Sequence, residues 1–454
     1  MTDPLYDHQR RIIDRMLQGS YGVFAQPGTG KTRCGIELAR WCNANRVRSG
    51  RTLVIAPLSI LESAWLEDLA KFAPELKGMS LWAGTPAKRE KLKQQAAKVK
   101  PDLLVVNYAG FVRLADWLVD RRFDAVILDE SSKIKSPRTT ITKTFKKFSR
   151  TVPRVYVFSG TPMPNTPLEV YEQIDAVARG ILERNFYAFR AKWFSGVGYG
   201  GYTYVISKDN RKKLMETIAP YCILLLKVDC LDLPEKTFQV RKVSMDAAQR
   251  RAYDQMVKDK ILPLIEDRVA ISSSILAEIM KLRQVCSGWV YDTDRQAYQF
   301  SETKLQALDE VLEDLGPEQV IIWCQFRRDI EQVEKRLGDR AVKAYGGMNP
   351  KELKANIDAF KAGGKQYLIA HPQSVGHGHT MVNCSYCIYL GLSYSLEEYL
   401  QSQDRIHRIG AKRPCTYIHL LARESIDEVI YRALQRKENM ANATLEYLRE
   451  YRDD

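Results

Sequence analysis

The chain has 454 residues, of which 45% are hydrophobic and 27% are charged, and its formal net charge is +14. This length predicts two or three domains with buried cores. No apolar run reaches the roughly 18 residues that a membrane helix needs, and the start, MTDPLYDHQRR, is too polar for a secretory signal, so we expect neither a membrane-spanning nor a secreted protein.

The net charge and the cysteines further narrow the class of protein to which the chain can belong. Lysine and arginine number 69 against 55 acidic residues, an excess that is compatible with a polyanionic partner, most simply nucleic acid. The nine scattered cysteines fit reduced thiols in a cytosol-like compartment. Charge alone does not identify a partner, so the motifs must do so.

Strand and helix patterns alternate over the first 165 residues. After the apolar run RTLVIA, Ser59 and Glu62 have the spacing of a capping box, and apolar residues then recur at helical intervals. Both features predict a helix in this segment. Apolar strands separated by helices predict a parallel sheet covered on both faces, with ligands at the carboxyl ends of its strands. The segments that carry the predicted strands, each of which leads into polar residues, are YGVFAQPGTGKT, RTLVIAPLSILESAWLEDLAKF, DLLVVNY, FDAVILDE and RVYVFSGTP.

From about residue 165 to 300, strand patterns become rare and helical patterns dominate, as in SSSILAEIMKLRQVC. From 301 the alternation returns, and the tail that starts IDEVIYRALQRK predicts a closing helix. We therefore predict an α/β fold with two parallel-sheet domains and an α-helical insertion between them. The predicted boundaries are 1–164 for the first lobe, 165–300 for the insertion and linker, and 301–454 for the second lobe.

The stretch AQPGTGKT, residues 25–32, fits a phosphate-binding loop with Ala25 where the strict pattern has glycine. Glycines let backbone N–H groups turn towards phosphate oxygens. In this pattern Lys31 binds the β- and γ-phosphates of ATP, and the Thr32 hydroxyl binds Mg²⁺. The loop residues expected around the phosphates are Pro27, Gly28, Thr29 and Gly30.

Asp129 and Glu130 end the predicted strand in VILDESS. An isolated acidic pair at a strand end more often marks a chain that is leaving the core for solvent. Because this pair follows a phosphate loop by about a hundred residues, it fits the second acidic element of a nucleotidase. In that role Asp129 would hold Mg²⁺ and Glu130 would polarise the attacking water.

Together with other segments, these motifs resemble the SNF2 (Swi2/Snf2) family of superfamily 2 helicase-type ATPases over nearly the whole chain. The resemblance implies RecA-like domains, ATP and Mg²⁺ as cofactors, adenine recognition by Gln9, and double-stranded DNA held by its backbone with little sequence preference. The final motif, in which glutamine and aspartate precede Arg-x-His-Arg-Ile-Gly, is the most family-specific. The matching segments are YDHQ, AQPGTGKT, VIAPLSILESAW, VVNYAGF, LDESSKIKS, SGTPMPN, VIIWCQF, SVGHGHTM and QSQDRIHRIG.

The final motif carries two arginines behind a capping-box spacing at Ser395 and Glu398. Such a run most often forms a solvated helix face. On the helix that this capping box predicts, Gln401, Arg405 and Arg408 are four and three apart, so they share one face, which suits phosphate oxygens. The resemblance implies that the arginines act as fingers on the γ-phosphate held by the first lobe, so that hydrolysis requires lobe closure.

Three places depart from the family pattern. Ser131 and Ser132 stand where alanine and histidine are usual, and Val375 stands where a second glycine is usual. Leu224 and Leu225 replace a common arginine pair. The usual histidine is thought to help couple nucleotide to DNA, so that coupling is the property in question. None of these changes removes a residue that binds or hydrolyses ATP.

Two other clusters are less promising as metal sites. Cys384 and Cys387 form a single CxxC, and strand residues three apart face opposite sides of a sheet, so we interpret the pair as structural. His371, His377 and His379 lack an evident fourth zinc ligand and fall around the SVGHGHTM segment, which favours contact with DNA or nucleotide. The predicted metal ligands are Thr32 and Asp129.

The leading hypothesis is an ATP-driven translocase on duplex DNA that remodels DNA structures or displaces bound proteins without separating strands. A strand-separating DNA or RNA helicase shares the ATP site, but its last motif more often has HRxGR, whereas Ala411 follows Gly410 here. A catalytically silent nucleic-acid-binding scaffold is disfavoured because the catalytic set is complete. That set is Lys31, Asp129, Glu130, Gln401, Arg405 and Arg408.

The same resemblance sets expectations for the cellular context. We expect a monomer that acts in the cytoplasm if the source is bacterial or a phage, and in the nucleus if it is eukaryotic. Replication and recombination proteins are the candidate partners, and the substrate that the motor remodels stays open.

Overall fold

The computed structural model describes residues 4–160, 162–163, 166–197, 203–231, 233–258, 273–291, 296–374, 380–393 and 395–436. Contacts divide them into two compact units, with the boundary between Asp232 and Leu233. We call these units the first and the second domain. Both are α/β domains built on a parallel sheet, as the sequence predicts.

The first domain contains a seven-stranded sheet in the order β3-β4-β2-β5-β6-β1-β9, in which every neighbouring pair is parallel. A separate antiparallel hairpin follows from β7 (Phe194–Val197) and β8 (Thr203–Ile206). The sheet strands are β1 (Tyr21–Ala25), β2 (Thr52–Ala56), β3 (Gly78–Ser80), β4 (Leu103–Asn107), β5 (Ala125–Asp129), β6 (Arg154–Ser159) and β9 (Cys222–Leu225).

Helices cover both faces of this sheet because its central strands are apolar on both sides. In β5, Val126 and Leu128 pack in one core while Ala125 and Ile127 pack in the other. The helices are α1 (Asp7–Gln18), α2 (Lys31–Asn45), α3 (Glu67–Phe72), α4 (Pro86–Val99), α5 (Tyr108–Val119), α6 (Thr140–Ser149), α7 (Tyr171–Val177), α8 (Phe186–Trp193) and α9 (Lys208–Ile218). The first three contribute to one core, and α4 to α9 contribute to the other.

The second domain contains a six-stranded sheet in the order β10-β17-β16-β13-β15-β14, again entirely parallel. An antiparallel hairpin of β11 (Trp289–Tyr291) and β12 (Ala297–Gln299) lies outside this sheet. The sheet strands are β10 (Lys236–Val243), β13 (Val320–Trp323), β14 (Ala341–Ala344), β15 (Tyr367–Ala370), β16 (Tyr386–Tyr389) and β17 (Cys415–Ala422).

Six helices with defined bounds accompany the second sheet: α10 (Ala247–Met256), α11 (Ser273–Cys286), α12 (Thr303–Leu315), α13 (Arg327–Leu337), α14 (Pro350–Lys361) and α15 (Leu396–Gln403). A further helix occupies 426–436, where the sequence predicts a closing helix, and the rest of that tail lies outside the described residues. In the part of the chain that the structure describes, no helix has the length and apolar character required to cross a bilayer.

The segment predicted as a helical insertion and linker, 165–300, is divided between the two domains. Its described residues form six strands, of which two belong to the main sheets. The strand β9 pairs with β1, so it extends the first sheet. The strand β10 pairs with β17 over eight residues, so it forms the edge of the second sheet. A four-residue apolar run such as CILL does not reveal a strand by its periodicity, because a buried helix segment has the same composition.

The second domain contains a buried carboxylate, Asp329, on α13. Its two oxygens accept hydrogen bonds from Trp289 Nε1 at 2.7 Å and Ser287 Oγ at 3.4 Å. Burial raises the pKa of Asp329 from 3.8 to about 6, although these bonds and the cations Lys304 and Arg283 act in the opposite direction. The side chain of Asp329 therefore connects α13 to the residues around the start of the β11–β12 hairpin, and this contact buries its carboxylate.

This raised pKa predicts a pH dependence of stability. Because the folded pKa lies above the unfolded one, the contribution of Asp329 is fully present below pH 3.8 and is lost as the pH rises through about 6. Asp329→Asn keeps an acceptor for Trp289 and has no charge. Between pH 5 and pH 8, we expect the unfolding free energy of the wild type to fall by about 1–2 kcal/mol relative to that of the variant. Urea unfolding of both proteins at each pH measures this difference, and parallel profiles would contradict the assignment.

Candidate functional site

The phosphate loop lies between the end of β1 at Ala25 and the start of α2 at Lys31. Gly28 and Gly30 have φ angles of 87° and 84°, in the left-handed region that glycine adopts without strain. Ala25 is the last residue of a buried strand and pairs with Leu225, so this position needs no unusual backbone angle. The alanine that departs from the strict pattern is therefore compatible with the loop.

Lys31 folds back over its own loop. Its Nζ donates to the carbonyl oxygen of Ala25 at 2.6 Å and lies 3.5 Å from that of Gln26. Thr29 is fully buried and its hydroxyl donates to Gln26 O at 2.8 Å. Thr32, the second residue of α2, is half-buried. The ammonium group thus lies beside the start of the loop that leads into α2, and the N–H groups of a first helical turn suit an anion.

Gln9 lies on α1 and is buried against the phosphate loop. Its Oε1 accepts from the backbone N–H of Tyr6 at 3.1 Å. A Cβ atom at Gly30 would come within 2.1 Å of Gln9 Nε2, so the loop and this amide are packed directly together. The preceding residue, His8, contacts Thr29 O at 2.9 Å through Nε2 and stacks on Tyr6. The start of the chain therefore supports the loop from one side.

Asp129 and Glu130 lie at the carboxyl end of β5, and both are buried rather than exposed. Asp129 Oδ2 accepts from Trp65 Nε1 at 3.0 Å, and its Oδ1 accepts from the Glu130 N–H at 3.0 Å. Glu130 has a φ of 57°, in the left-handed region that is uncommon for a residue with a side chain. The Tyr108 hydroxyl lies within hydrogen-bonding distance of the carbonyl oxygens of both acidic residues.

The serine that follows the acidic pair connects it to the polar end of β6. Ser131 Oγ donates to Gln173 Oε1 at 2.6 Å, and Gln173 Nε2 donates to Pro162 O at 2.6 Å. Both Ser131 and Gln173 are fully buried. A hydroxyl group therefore joins two of the predicted motifs at a position where the family usually has alanine. The neighbouring Ser132 is buried too.

The polar end of β6 also packs on the phosphate loop. A Cβ atom at Gly160 would come within 2.7 Å of Pro27 Cδ, so this glycine permits a close approach. In the sheet order, β6 lies between β1 and β5. The phosphate loop and the acidic pair are therefore separated by two strand spacings, or about 10 Å, along the same edge.

In the second domain the prediction of one helix through the final motif is wrong. Helix α15 starts with Ser395 as its N-cap, as predicted, but it ends at Gln403, so Gln401 lies on it and the two arginines do not. The Glu398 carboxylate accepts from Ser393 Oγ at 2.9 Å and from Gln373 Nε2.

The arginines lie in the irregular segment after α15, and both contact the segment that matches SVGHGHTM. Arg408 Nη1 donates to Thr380 Oγ1 at 3.1 Å, while Arg405 O accepts from the Met381 N–H at 2.9 Å. Arg405 is buried and Arg408 is half-buried. The two arginines therefore do not share a helix face with Gln401. They lie in a turn that is hydrogen-bonded to the SVGHGHTM segment.

Three of the five residues considered as metal ligands lie among the described residues: Cys384, Cys387 and His371. Cys384 and Cys387 pack in the core of the second domain, and burial raises the pKa of the Cys384 thiol to about 12. Burial lowers the pKa of His371, whose Nδ1 accepts from the Gln373 N–H at 3.2 Å. Val375, His377 and His379 lie outside the described residues. Among the described residues, no group of three or more His, Cys, Asp or Glu side chains could hold a metal ion.

Four residues near the site are not among the sequence predictions: Trp65, Tyr108, Gln173 and His8. Three of them belong to quoted motifs, but their types indicate packing or a strand end rather than chemistry. Gln173 follows those motifs and belongs to none of them. Their roles depend on partners 21 to 64 positions away in the chain.

Comparisons with known proteins match this architecture. A model of the SNF2-related domain matches residues 12–288, and a model of the helicase conserved C-terminal domain matches residues 303–410. The Putative protein p41 of Acyrthosiphon pisum secondary endosymbiont phage 1 is 26% identical, with 97% of this chain and 98% of that protein covered.

Two longer proteins are similar to this chain over part of their length. The Chromodomain-helicase-DNA-binding protein 1-like of Danio rerio is 25% identical over 92% of this chain and 41% of its own length. The uncharacterized ATP-dependent helicase MG018 of Mycoplasma genitalium is 24% identical over 87% of this chain and 37% of its own length. With the SNF2-related model matching more than half of its residues and the predicted ATP-site residues at the sheet edge, the chain belongs to the SNF2-related family of helicase-type ATPases.

Proposed function

We propose that this protein is a motor that uses ATP hydrolysis to move along double-stranded DNA without separating the strands. The observation that carries the proposal is that models of the SNF2-related domain and of the helicase conserved C-terminal domain match successive parts of one chain. The phosphate loop and acidic pair lie at strand ends of the first sheet, and the arginine segment belongs to the second domain. The SNF2-related model covers the whole first sheet and extends into the second domain to residue 288, and the helicase C-terminal model begins in the second domain at residue 303.

The residues of the first domain fit ATP with Mg²⁺. The positive φ angles of Gly28 and Gly30 suit a loop whose N–H groups surround phosphates, and the buried carboxylate of Asp129 is the oxygen ligand that Mg²⁺ prefers. We assign the metal to Thr32 and Asp129. When bound, Mg²⁺ neutralises charge on the phosphate oxygens. Lys31 would then exchange its bonds to Ala25 and Gln26 for the β- and γ-phosphates.

The remaining predicted residues receive roles in the same reaction. Glu130, held in its turn through the Tyr108 hydroxyl, orients the attacking water. Gln9, packed against Gly30, contacts the adenine. We assign to Arg408 and Arg405 the role of neutralising the charge that develops on the γ-phosphate. Gln401, in the same motif, is assigned to the same catalytic set.

A duplex DNA track is supported by charge and by relatives. The net charge of +14 suits a phosphate backbone, and backbone contacts give affinity without sequence preference. The Danio rerio relative carries DNA binding in its name. A strand-separating helicase is the alternative, and Ala411 after Gly410 departs from its usual final motif. The phage relative, which matches over nearly its full length, supports a site of action in the bacterial cytoplasm.

The test compares two substrates in the presence of ATP. One is a duplex that carries a triplex-forming third strand, and the other is a tailed duplex. A motor that tracks the duplex should displace the third strand and leave the tailed duplex paired, because opening each base pair would cost about 1.4 kcal/mol of stacking. Gel electrophoresis of the products measures both outcomes.

The controls separate the three hypotheses. Separation of the tailed duplex, with the third strand left in place, would favour the strand-separating helicase. Absence of ATP turnover with and without duplex DNA would favour a silent scaffold. Lys31→Ala should be inactive on both substrates, which excludes displacement by binding alone.

A further inference from the structure

The tryptophan that contacts Asp129 occupies an irregular helical segment. After β2 the chain forms a 3-10 turn at Leu58–Ile60, a π-helical turn at Leu61–Leu66, and only then α3. Ser59 is not the N-cap that the sequence predicts, because the turn begins two residues earlier, with Pro57 as its N-cap. A π-helical turn inside a helix changes the direction of its side chains and is frequent at functional sites. Here it carries Trp65.

Trp65 is fully buried, and its single polar atom is directed at the acidic pair. The indole N–H donates to Asp129 Oδ2 at 3.0 Å, while Asp129 Oδ1 accepts from the Glu130 N–H. Hydrogen bonds to a carboxylate are stronger than those between neutral groups. Because each of the two carboxylate oxygens accepts one of these bonds, they fix the orientation of the group.

The ring of Trp65 is held from the opposite side by α2, the helix that begins at the phosphate loop. A Cβ atom at Gly35 would come within 2.6 Å of Trp65 Cη2 and 3.0 Å of Cζ3. The same Cβ would lie 3.1 Å from Ile127 Cδ1, on the strand that carries Asp129. Trp65 thus lies between the helix of the phosphate loop and the strand of the acidic pair, and the absence of a side chain at Gly35 makes room for it.

We propose that Trp65 is a positioning residue that orients the Asp129 carboxylate towards the magnesium ion of the bound nucleotide. This inference rests on the proposed assignment of the metal to Asp129. A group that orients a metal ligand raises metal affinity without touching the nucleotide. Gly35 contributes to this positioning, because a larger residue there would move the indole of Trp65 away from Asp129.

The test measures nucleotide binding as a function of Mg²⁺ concentration with a fluorescent ATP analogue. Trp65→Phe keeps an aromatic ring and removes the N–H donor. We expect it to require roughly tenfold to a hundredfold more Mg²⁺ for tight binding, as is typical when an outer partner of a metal ligand is lost. Its affinity for the analogue in EDTA should equal that of wild type. If Trp65 had only a packing role, Trp65→Phe would not change the Mg²⁺ dependence while leaving the affinity in EDTA unchanged.

Two further variants keep the test decisive if Trp65→Phe fails to fold. Gly35→Ala replaces glycine inside a helix, which favours the helix itself, but it displaces the indole and should shift the Mg²⁺ dependence in the same direction. Trp41→Phe is the matched control, because Trp41 is a half-buried tryptophan on the same helix and lies against Arg154. It should leave the Mg²⁺ dependence unchanged.

Asp129→Asn separates the inference from the assignment on which it rests. If Asp129→Asn loses the Mg²⁺ dependence while Trp65→Phe and Gly35→Ala keep that of wild type, the positioning role is overturned and the metal assignment stands. If Asp129→Asn itself binds the Mg²⁺-nucleotide complex like wild type, the metal assignment is overturned, and the positioning role with it.

Discussion

Lys31→Ala should reduce ATP turnover at least about a hundredfold, because the variant loses the positive charge that the phosphate loop supplies to the transferred phosphate. The fold should persist. In the structure the ammonium group bonds the backbone of its own loop, at Ala25 O and Gln26 O. Loss of such a bond costs about 1 kcal/mol. Steady-state phosphate release and thermal unfolding measure the two effects.

The matched control for this variant is Lys91→Ala. Lys91 is an exposed lysine on α4 of the same domain, and its substitution removes the same charge from a solvated helix face. Wild-type turnover is expected there. Turnover near the wild-type level in Lys31→Ala would remove the phosphate-loop assignment, whereas a large fall in the unfolding temperature would give Lys31 a structural role.

Arg408→Ala should lower the turnover number on the order of a thousandfold while ATP still binds, because loss of an arginine finger removes charge stabilisation in the transition state. The first domain would supply most of the contacts to ATP in the ground state. Within the second domain, the substitution removes the hydrogen bond from Arg408 to Thr380, which is a small change for a folded core. Nucleotide binding by fluorescence and turnover at saturating ATP give the two quantities separately.

The matched control is Arg413→Ala, five positions further along the chain. Arg413 is exposed and pairs with Glu318 through two hydrogen bonds of 2.8 and 2.9 Å. Exposed pairs of this kind contribute about 0–1 kcal/mol, so activity and stability should both be retained. A collapse of ATP affinity in Arg408→Ala with unchanged saturated turnover would make Arg408 a ground-state ligand instead.

The final motif shows where local patterns mislead. Spacing of four and three predicts one helix face for Gln401, Arg405 and Arg408, but the helix ends at Gln403. The reason is tertiary: Tyr417, on β17, donates its hydroxyl to the Gln403 carbonyl at 2.8 Å. The chain then turns to bury Ile406 in the core and to bond Met381. None of these partners is visible in the local spacing.

Much of the first domain is predictable because its patterns are local. An apolar run of five residues followed by glycines and a lysine already specifies a strand, a loop and a helix start, and β1, the loop and α2 follow that order. The acidic pair lies at the end of β5 for the same reason. The sequence by itself therefore determined the fold class and the strand ends at which the candidate ATP-site residues of this domain lie.

Only the tertiary structure decided which distant groups support those residues. Trp65 reaches Asp129 across 64 positions, and Ser131 reaches Pro162 through Gln173. The strand β9 joins the first sheet about two hundred residues after β1. Side-chain hydrogen bonds and sheet edges depend on positions in space, and a buried tryptophan or a short apolar run has the same local pattern whether or not it contacts the site. For this reason the chemistry could be inferred from motifs, while its supporting contacts required the folded chain.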